Sequence, residues 1–196
     1  MAFDPTLPVS TLPHVLSDLW QMLSDAVATP GHPWRTPVLV TGGSRSAAGR
    51  VVVLRHSTRA TRLLEFHTDA RSPKRSQLRQ AGGVEWVFYH PPLQLQLRVQ
   101  AQAQVHVGDA VARRTWRRVP PTSYLNYLQP VRPGAPLASD TPEAISSGSP
   151  DRPSPFFAVV RTKATHLDLL WLHPAGHRRA VWTRNGARWE GHWICP

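Results

Sequence analysis

Apolar positions fall in two rhythms along this chain. Between residues 11 and 27 they recur every three or four places (Leu12, Val15, Leu16, Leu19, Trp20, Leu23, Ala26, Val27), which is one face of an amphipathic helix. Thr11 can cap it and Pro30-Gly31 can end it. From Trp34 onward the period shortens to that of strands. Residues 34–41, 50–54, 62–67 and 84–89 are short apolar runs bounded by turn residues, with 42–46 as the turn that makes 50–54 the hairpin partner of 34–41 and Thr68-Asp69 ending the third run. After Pro91-Pro92, residues 93–107 alternate apolar side chains with Gln94, Gln96, Arg98, Gln100, Gln102 and Gln104, predicting one long or bent strand with a dry and a wet face. Strands follow at 156–162, 166–172, 178–183 and 189–194, the last two joined by the tight-turn signal Asn185-Gly186. Helices are few: Ser72 and Pro73 open one running to Gln80, Asp109 caps a basic one across 110–118, and 123–128 form a short helical piece. Residues 130–155 lose all periodicity and are rich in Pro, Ser, Gly and Asp, as in a long surface loop. Some eight strands with few helices predict a mainly β fold, an antiparallel barrel rather than a parallel α/β sheet.

Length changes little in that picture, since 196 residues and 21.9 kDa suit one domain over 1–196. The single cysteine, Cys195, allows no internal disulfide and no cysteine metal cluster, and a cytoplasmic location is expected. No apolar run approaches a membrane span and no signal-peptide pattern opens the chain, so no membrane partner is expected. The formal net charge of +11 raises nucleic acid as a partner. Yet the only lysines are Lys74 and Lys163, and the arginines are scattered rather than run together, which makes an arginine-rich nucleic-acid binder the weaker reading. The stretch 38–49 looks superficially like the glycine loop of a short-chain dehydrogenase. Ser46 and Ala48 replace its later glycines, a strand follows, and no Tyr is followed by Lys four residues on. His173 and His177 flank Pro174 and Gly176, which breaks a helical ligand pair, so no metal site is expected. No motif locates a protein nucleophile, and catalytic residues stay unassigned.

The chemistry that does stand out is basic and local. Arg71, Ser72 and Lys74 converge on a helix start, where free N–H groups, a guanidinium fork and an ammonium make an anion site; a solvated basic first turn is the alternative. On the long strand, a glutamine offers both donors and an acceptor for the mixed edge of a flavin or base ring. Gln100, Gln102 and Gln104 read as plain solvent-facing positions.

Three segments together, Arg50-Val-Val-Val-Leu-Arg55, the run from His67-Thr68 to Lys74, and Gln96 within Gln-Leu-Arg-Val, resemble the pyridoxamine 5'-phosphate oxidase-like flavoproteins. The resemblance covers the chain from Trp34 onward. It implies a split β-barrel that binds FMN at a homodimer interface. It implies that Arg50, Val51, Val52, Val53 and Arg55 lie along the flavin, that His67 and Thr68 contact the phosphate and ribityl chain, and that Ser72 and Lys74, with Arg71, neutralise the phosphate. Gln96, Trp171 and Arg179 (or Arg178) would meet the ring system. Departures concern the substrate. Where that family holds a substrate phosphate with Tyr, Arg and Ser, this chain has Thr115, Val119 and Ser123, and the C-terminal substrate-gripping run is reduced to residues 177–182. Arg132-Pro-Gly-Ala-Pro136 after a helix holding Trp116 is similar to an uncharacterised branch of the superfamily. The expected function is therefore an FMN-dependent oxidoreductase with a substrate other than vitamin B6. The alternative is a non-catalytic flavin or haem binding protein on the same barrel.

Overall fold

The structure is a computed structural model that describes residues 11–42, 47–81, 83–136, 149, 151–174 and 176–196. Helix α1 (Leu12–Ala28) buries Val15, Leu16, Leu19, Trp20, Leu23 and Ala26, the stripe that the sequence periodicity marks. Nine strands follow among the described residues: β1 (Val38–Thr41), β2 (Ala48–Val51), β3 (His56–Thr58), β4 (Leu63–Asp69), β5 (Gly83–His90), β6 (Leu95–Val107), β7 (Phe157–Trp171), β8 (Arg178–Asn185) and β9 (Arg188–Ile194). Helix α2 (Lys74–Ala81) joins β4 to β5, and α3 (Ala110–Trp116) follows β6. All pairings are antiparallel, in the order β2-β1-β5-β6-β7-β4-β3, with β8 on β7 and β9 on β8.

The long strands β6 and β7 set the shape. They pair along their whole length, while the other edge of β7 divides: its first half takes β4 and its second half takes β8. Thr165 sits at the division. Gln100 pairs with His166 and Ala101 with Ala164, so Thr165 is a bulge residue that bends the sheet, its hydroxyl donating to the Gln100 carbonyl at 3.2 Å. The fold is a split β-barrel. Its inner face carries Leu39, Trp86, Val99, Leu167 and Trp182 in one cross-strand row, all fully buried and closed by α1. A second apolar cluster, with Trp116, Tyr124, Tyr127, Phe157 and Val159, seats α3 against the opposite face of β7. Gly191 in β9 is bare for a reason: a Cβ there would lie 2.6 Å from the Trp182 ring.

Several elements differ from the expected bounds. The strand expected at 34–41 starts at Val38, because Pro33–Arg35 turn as a 3-10 helix in which the His32 imidazole accepts from the Trp34 N–H at 3.1 Å. The strand expected at 50–54 ends at Val51, although the Val52 and Leu54 amides still donate to the Pro37 and Arg35 carbonyls. Thr68 and Asp69 finish β4 instead of turning. The strands expected at 156–162 and 166–172 are one, since a bulge kinks a ladder without breaking it. Most of the turn at 42–46 and residues 137–148 of the loop at 130–155 lie outside the described residues. Among the described residues, no helix is long and apolar enough to cross a membrane.

Candidate functional site

Three strand ends and the start of α2 bring polar side chains together at one corner of the barrel. Arg50 leaves β2 toward the β1 side, donating to Thr41 Oγ1 at 2.6 Å and to Gln77 Oε1 at 2.6 Å, and Thr41 in turn donates to Gln77 at 3.0 Å. Beside it, Lys74 Nζ donates to Thr68 Oγ1 at 3.0 Å and to Ser72 Oγ at 2.9 Å. Thr41, Thr68 and Ser72 are buried. Backbone order supports the corner: the Arg75 amide donates to the Ser72 carbonyl at 3.0 Å, so the chain already turns helically at Ser72-Pro73, as that dipeptide predicts. Neither cation meets a carboxylate within ion-pair distance among the described residues. Burial pulls Lys74 below the ordinary lysine range and the nearby Arg50 charge pushes it the same way, against a smaller opposing pull from Asp69. Burial likewise lowers Arg50.

Arg71 is placed differently from its neighbours. Its guanidinium grips both oxygens of Asp69, at 3.1 and 2.7 Å, donates to the Gln129 and Pro130 carbonyls, and lies 3.5 Å above the Phe156 ring. It therefore ties the two ends of the long loop to β4. Four of its five guanidinium N–H donors are spent that way.

Arg55 and His67 face a cleft of about 400 Å³ between β3, β4 and β7 on one side and α3 on the other. Here buried Glu65 accepts from Arg161 Nε at 2.8 Å and lies 3.3 Å from His67 Nε2. Burial alone would raise the Glu65 carboxyl, but the His67 and Arg161 hydrogen bonds outweigh it and hold the group below the usual carboxylate range. Of the valines between Arg50 and Arg55, Val51 is 65% exposed, Val52 is in the core and Val53 is half-buried.

The remaining expected flavin contacts sit elsewhere. Gln96 and Arg179 share a cross-strand row on the outer face, Tyr89–Gln96–Leu170–Arg179. Arg179 forks onto buried Asp168 at 3.0 and 2.7 Å, and Arg98 binds the same carboxylate from β6. Trp171 points to the opposite, inner face as a core residue, with the Arg178 guanidinium 5.8 Å from its ring centroid. Thus Arg50, Thr68, Ser72 and Lys74 are brought together, whereas Gln96, Trp171 and Arg179 are not brought to them within one chain. Sequence reading missed Thr41, Gln77, Glu65 and Arg161. Gln77 follows Lys74 by three residues and so shares its helix face, which is the one local signal available.

Residues 21–107 match the family model of the pyridoxamine 5'-phosphate oxidase FMN-binding domain. The match takes in the whole corner and Gln96, and ends before α3, Trp171 and Arg179. Among solved structures, the chain is similar to a pyridoxamine 5'-phosphate oxidase-related, FMN-binding protein of Nostoc punctiforme PCC 73102, with 23% identity and a TM-score of 0.77 over 95% of this chain and 99% of that one. It is also similar to PhzG of Burkholderia lata 383 in complex with tetrahydrophenazine-1-carboxylic acid, with 17% identity and a TM-score of 0.70 over 96% and 94%. General Stress Protein 26 of Bacillus anthracis is more distant, at 13% identity and a TM-score of 0.51 over 77% and 92%. At these identities the likeness is one of fold. No curated protein matches the chain.

Proposed function

We propose that this protein is a homodimeric FMN-binding flavoprotein, an oxidoreductase whose substrate is not vitamin B6. One observation carries the reading: Arg50 and Lys74 lie together, partly buried, on three hydroxyls and an amide oxygen, with no carboxylate within ion-pair distance among the described residues. Two cations that each lower their own stability by proximity are the donor set a phosphate dianion would relieve. Arg50, Thr68, Ser72 and Lys74 fit the FMN phosphate, and Arg55 and His67 continue the site toward the cleft. Arg71 supports the site through the loop it anchors. The family match over 21–107, to an FMN-binding domain, supports flavin as the ligand.

The outer-face row supports the two-copy reading. Gln96 and Arg179 project away from the corner of their own chain, so they meet a flavin ring there if the flavin belongs to a second copy. Exposed Val38, Val51, Tyr89 and Ile194 on that same face give a dimer apolar surface to bury. When bound, FMN supplies the electron-transfer chemistry, while the chain's residues hold, orient and charge-balance it.

The deciding experiment is direct. The purified chain, incubated with FMN and then gel-filtered, should keep about one flavin per chain by visible absorption and elute as a dimer. A colourless protein after loading would refute the flavin assignment, and an FMN-loaded monomer would refute the shared site.

A further inference from the structure

The cleft beside the corner has an electrostatic character of its own. Four guanidinium groups border it, from Arg35, Arg55, Arg118 and Arg161, against the single carboxylate of Glu65. Two of the four are spent. Arg35 donates to the Ala26 and Val27 carbonyls, and Arg161 to Glu65. Arg55 and Arg118 make no side-chain hydrogen bond or ion pair among the described residues, and they reach the cleft from opposite walls, Arg55 from the β2–β3 connection and Arg118 from the turn after α3. The rest of the lining includes the apolar Val27, Leu54, Val119 and Pro120.

We propose that this cleft binds a small organic monocarboxylate with an apolar body of one or two rings, clamped through its carboxylate by Arg55 and Arg118. Its use as the flavin's substrate rests on the reading above; its binding does not. The contrast with the Arg50–Lys74 corner selects carboxylate over phosphate. A phosphate presents oxygens in three directions, and the corner answers with three hydroxyls, an ammonium and a single guanidinium, that of Arg50, from several elements. The cleft offers one hydroxyl, Thr115, the imidazoles of His56 and His67, and two uncommitted planar guanidinium forks, which match the two coplanar oxygens of a carboxylate. Glu65 also opposes a second negative charge.

Calorimetry on the full chain, flavin-free and FMN-loaded, tests this with three probes that share one ring body: 2-naphthoate, 2-naphthyl phosphate and 2-naphthalenemethanol. Naphthoate should bind both forms of the protein, about tenfold or more tighter than either relative. Arg118→Gln should weaken naphthoate by about tenfold with an unchanged melting temperature, because Arg118 is exposed, and Arg118→Lys should restore part of the loss. Equal affinity for all three probes, a preference for the phosphate, undiminished binding by Arg118→Gln, or no binding at all would overturn the proposal. The two readings separate cleanly. A chain that takes naphthoate but not FMN sinks the flavin and keeps the carboxylate site, and a chain that takes FMN but not naphthoate does the reverse.

Discussion

The molecule holds two pairs of cations in two different ways. On the outer face, Arg98 and Arg179 converge on Asp168, a carboxylate that is 4% exposed and held below the usual carboxylate range: burial alone would raise it, and the hydrogen bonds from both arginines outweigh burial. At the corner, Arg50 and Lys74 converge on neutral oxygens. The first arrangement is closed, with charges balanced inside the chain and strands β6, β7 and β8 riveted by it. The second is open, since neither cation meets a carboxylate within ion-pair distance among the described residues, and its cost falls when an anion arrives. Counting basic residues would not separate the two. Counting their carboxylates does.

The largest effect expected from breaking this contrast is on FMN retention. Each charge-assisted contact to phosphate contributes roughly 1.5 to 3 kcal/mol. The double substitution Arg50→Gln, Lys74→Gln should therefore weaken FMN by about two to four orders of magnitude, read by fluorescence titration, with no loss of thermal stability because no internal ion pair is lost. A variant that binds FMN as the native chain does would show that the corner is not the phosphate seat.

The closed pair should fail in the opposite way. Asp168→Asn keeps the shape, strands the Arg179 guanidinium and leaves Arg98 only Glu85, at 3.6 Å. Removing one member of a buried pair costs about 3 to 5 kcal/mol, and the 39% and 30% exposure of the Arg98 and Arg179 side chains lets water recover part of it, so about 2 kcal/mol is expected in urea unfolding. The phosphate affinity of the corner should not change. A stable Asp168→Asn chain would mean that the cluster serves the dimer or the flavin rather than the fold.

A smaller effect separates the hydroxyls from the cations. Thr68→Val keeps the volume of a buried side chain and deletes the oxygen that receives Lys74 at 3.0 Å. A loss of about five- to tenfold in FMN affinity is expected, the worth of one ordinary hydrogen bond. Loss on the scale of the double cation variant would point to a misplaced Lys74 instead, which a comparison with Ser72→Ala would reveal.

How much of this was written locally differs between the two regions. Ser72-Pro73-Lys74 is a helix start that any reader of turn chemistry finds, and α2 begins there because a helix start depends on neighbours in sequence, although the Ser72 hydroxyl receives the Lys74 ammonium rather than a backbone amide. Gln77 and Thr41 were invisible because they meet Arg50 only when the β1–β2 hairpin packs against α2, and no local pattern encodes that contact. Asp69 lies two residues before Arg71, so their pairing was available in sequence, yet nothing local says that the same guanidinium also holds the carbonyls of residues 129 and 130. The long alternating run of β6 announced a strand and both of its faces. That Gln96 and Trp171 point to opposite faces follows from the pairing of β6 with β7 and cannot be read from either alone. The bulge at Thr165 hid the continuity of β7, because a one-residue slip in alternation looks like the end of one strand and the start of another.

The smallest and most discriminating test uses pH. Lys74 is held below the ordinary lysine value in the free protein, so between its folded and unfolded pKa values the unfolded chain binds more protons. Stability of the flavin-free protein should accordingly rise with pH across that window. FMN affinity should move the other way, because a bound phosphate needs the ammonium charged and the free protein increasingly holds it neutral. Above pH 8 the phosphate stays a dianion, since its second pKa is about 6, and its own titration does not enter. The expected signature is therefore a dissociation constant that climbs by up to about tenfold per pH unit above the folded Lys74 value while the melting temperature of the flavin-free form increases slightly. Lys74→Arg, which keeps its charge throughout, should flatten both curves. An affinity that is constant from pH 8 to the ordinary lysine range in the native chain would mean that Lys74 does not face the phosphate, and the corner's open charge would then rest on Arg50 alone.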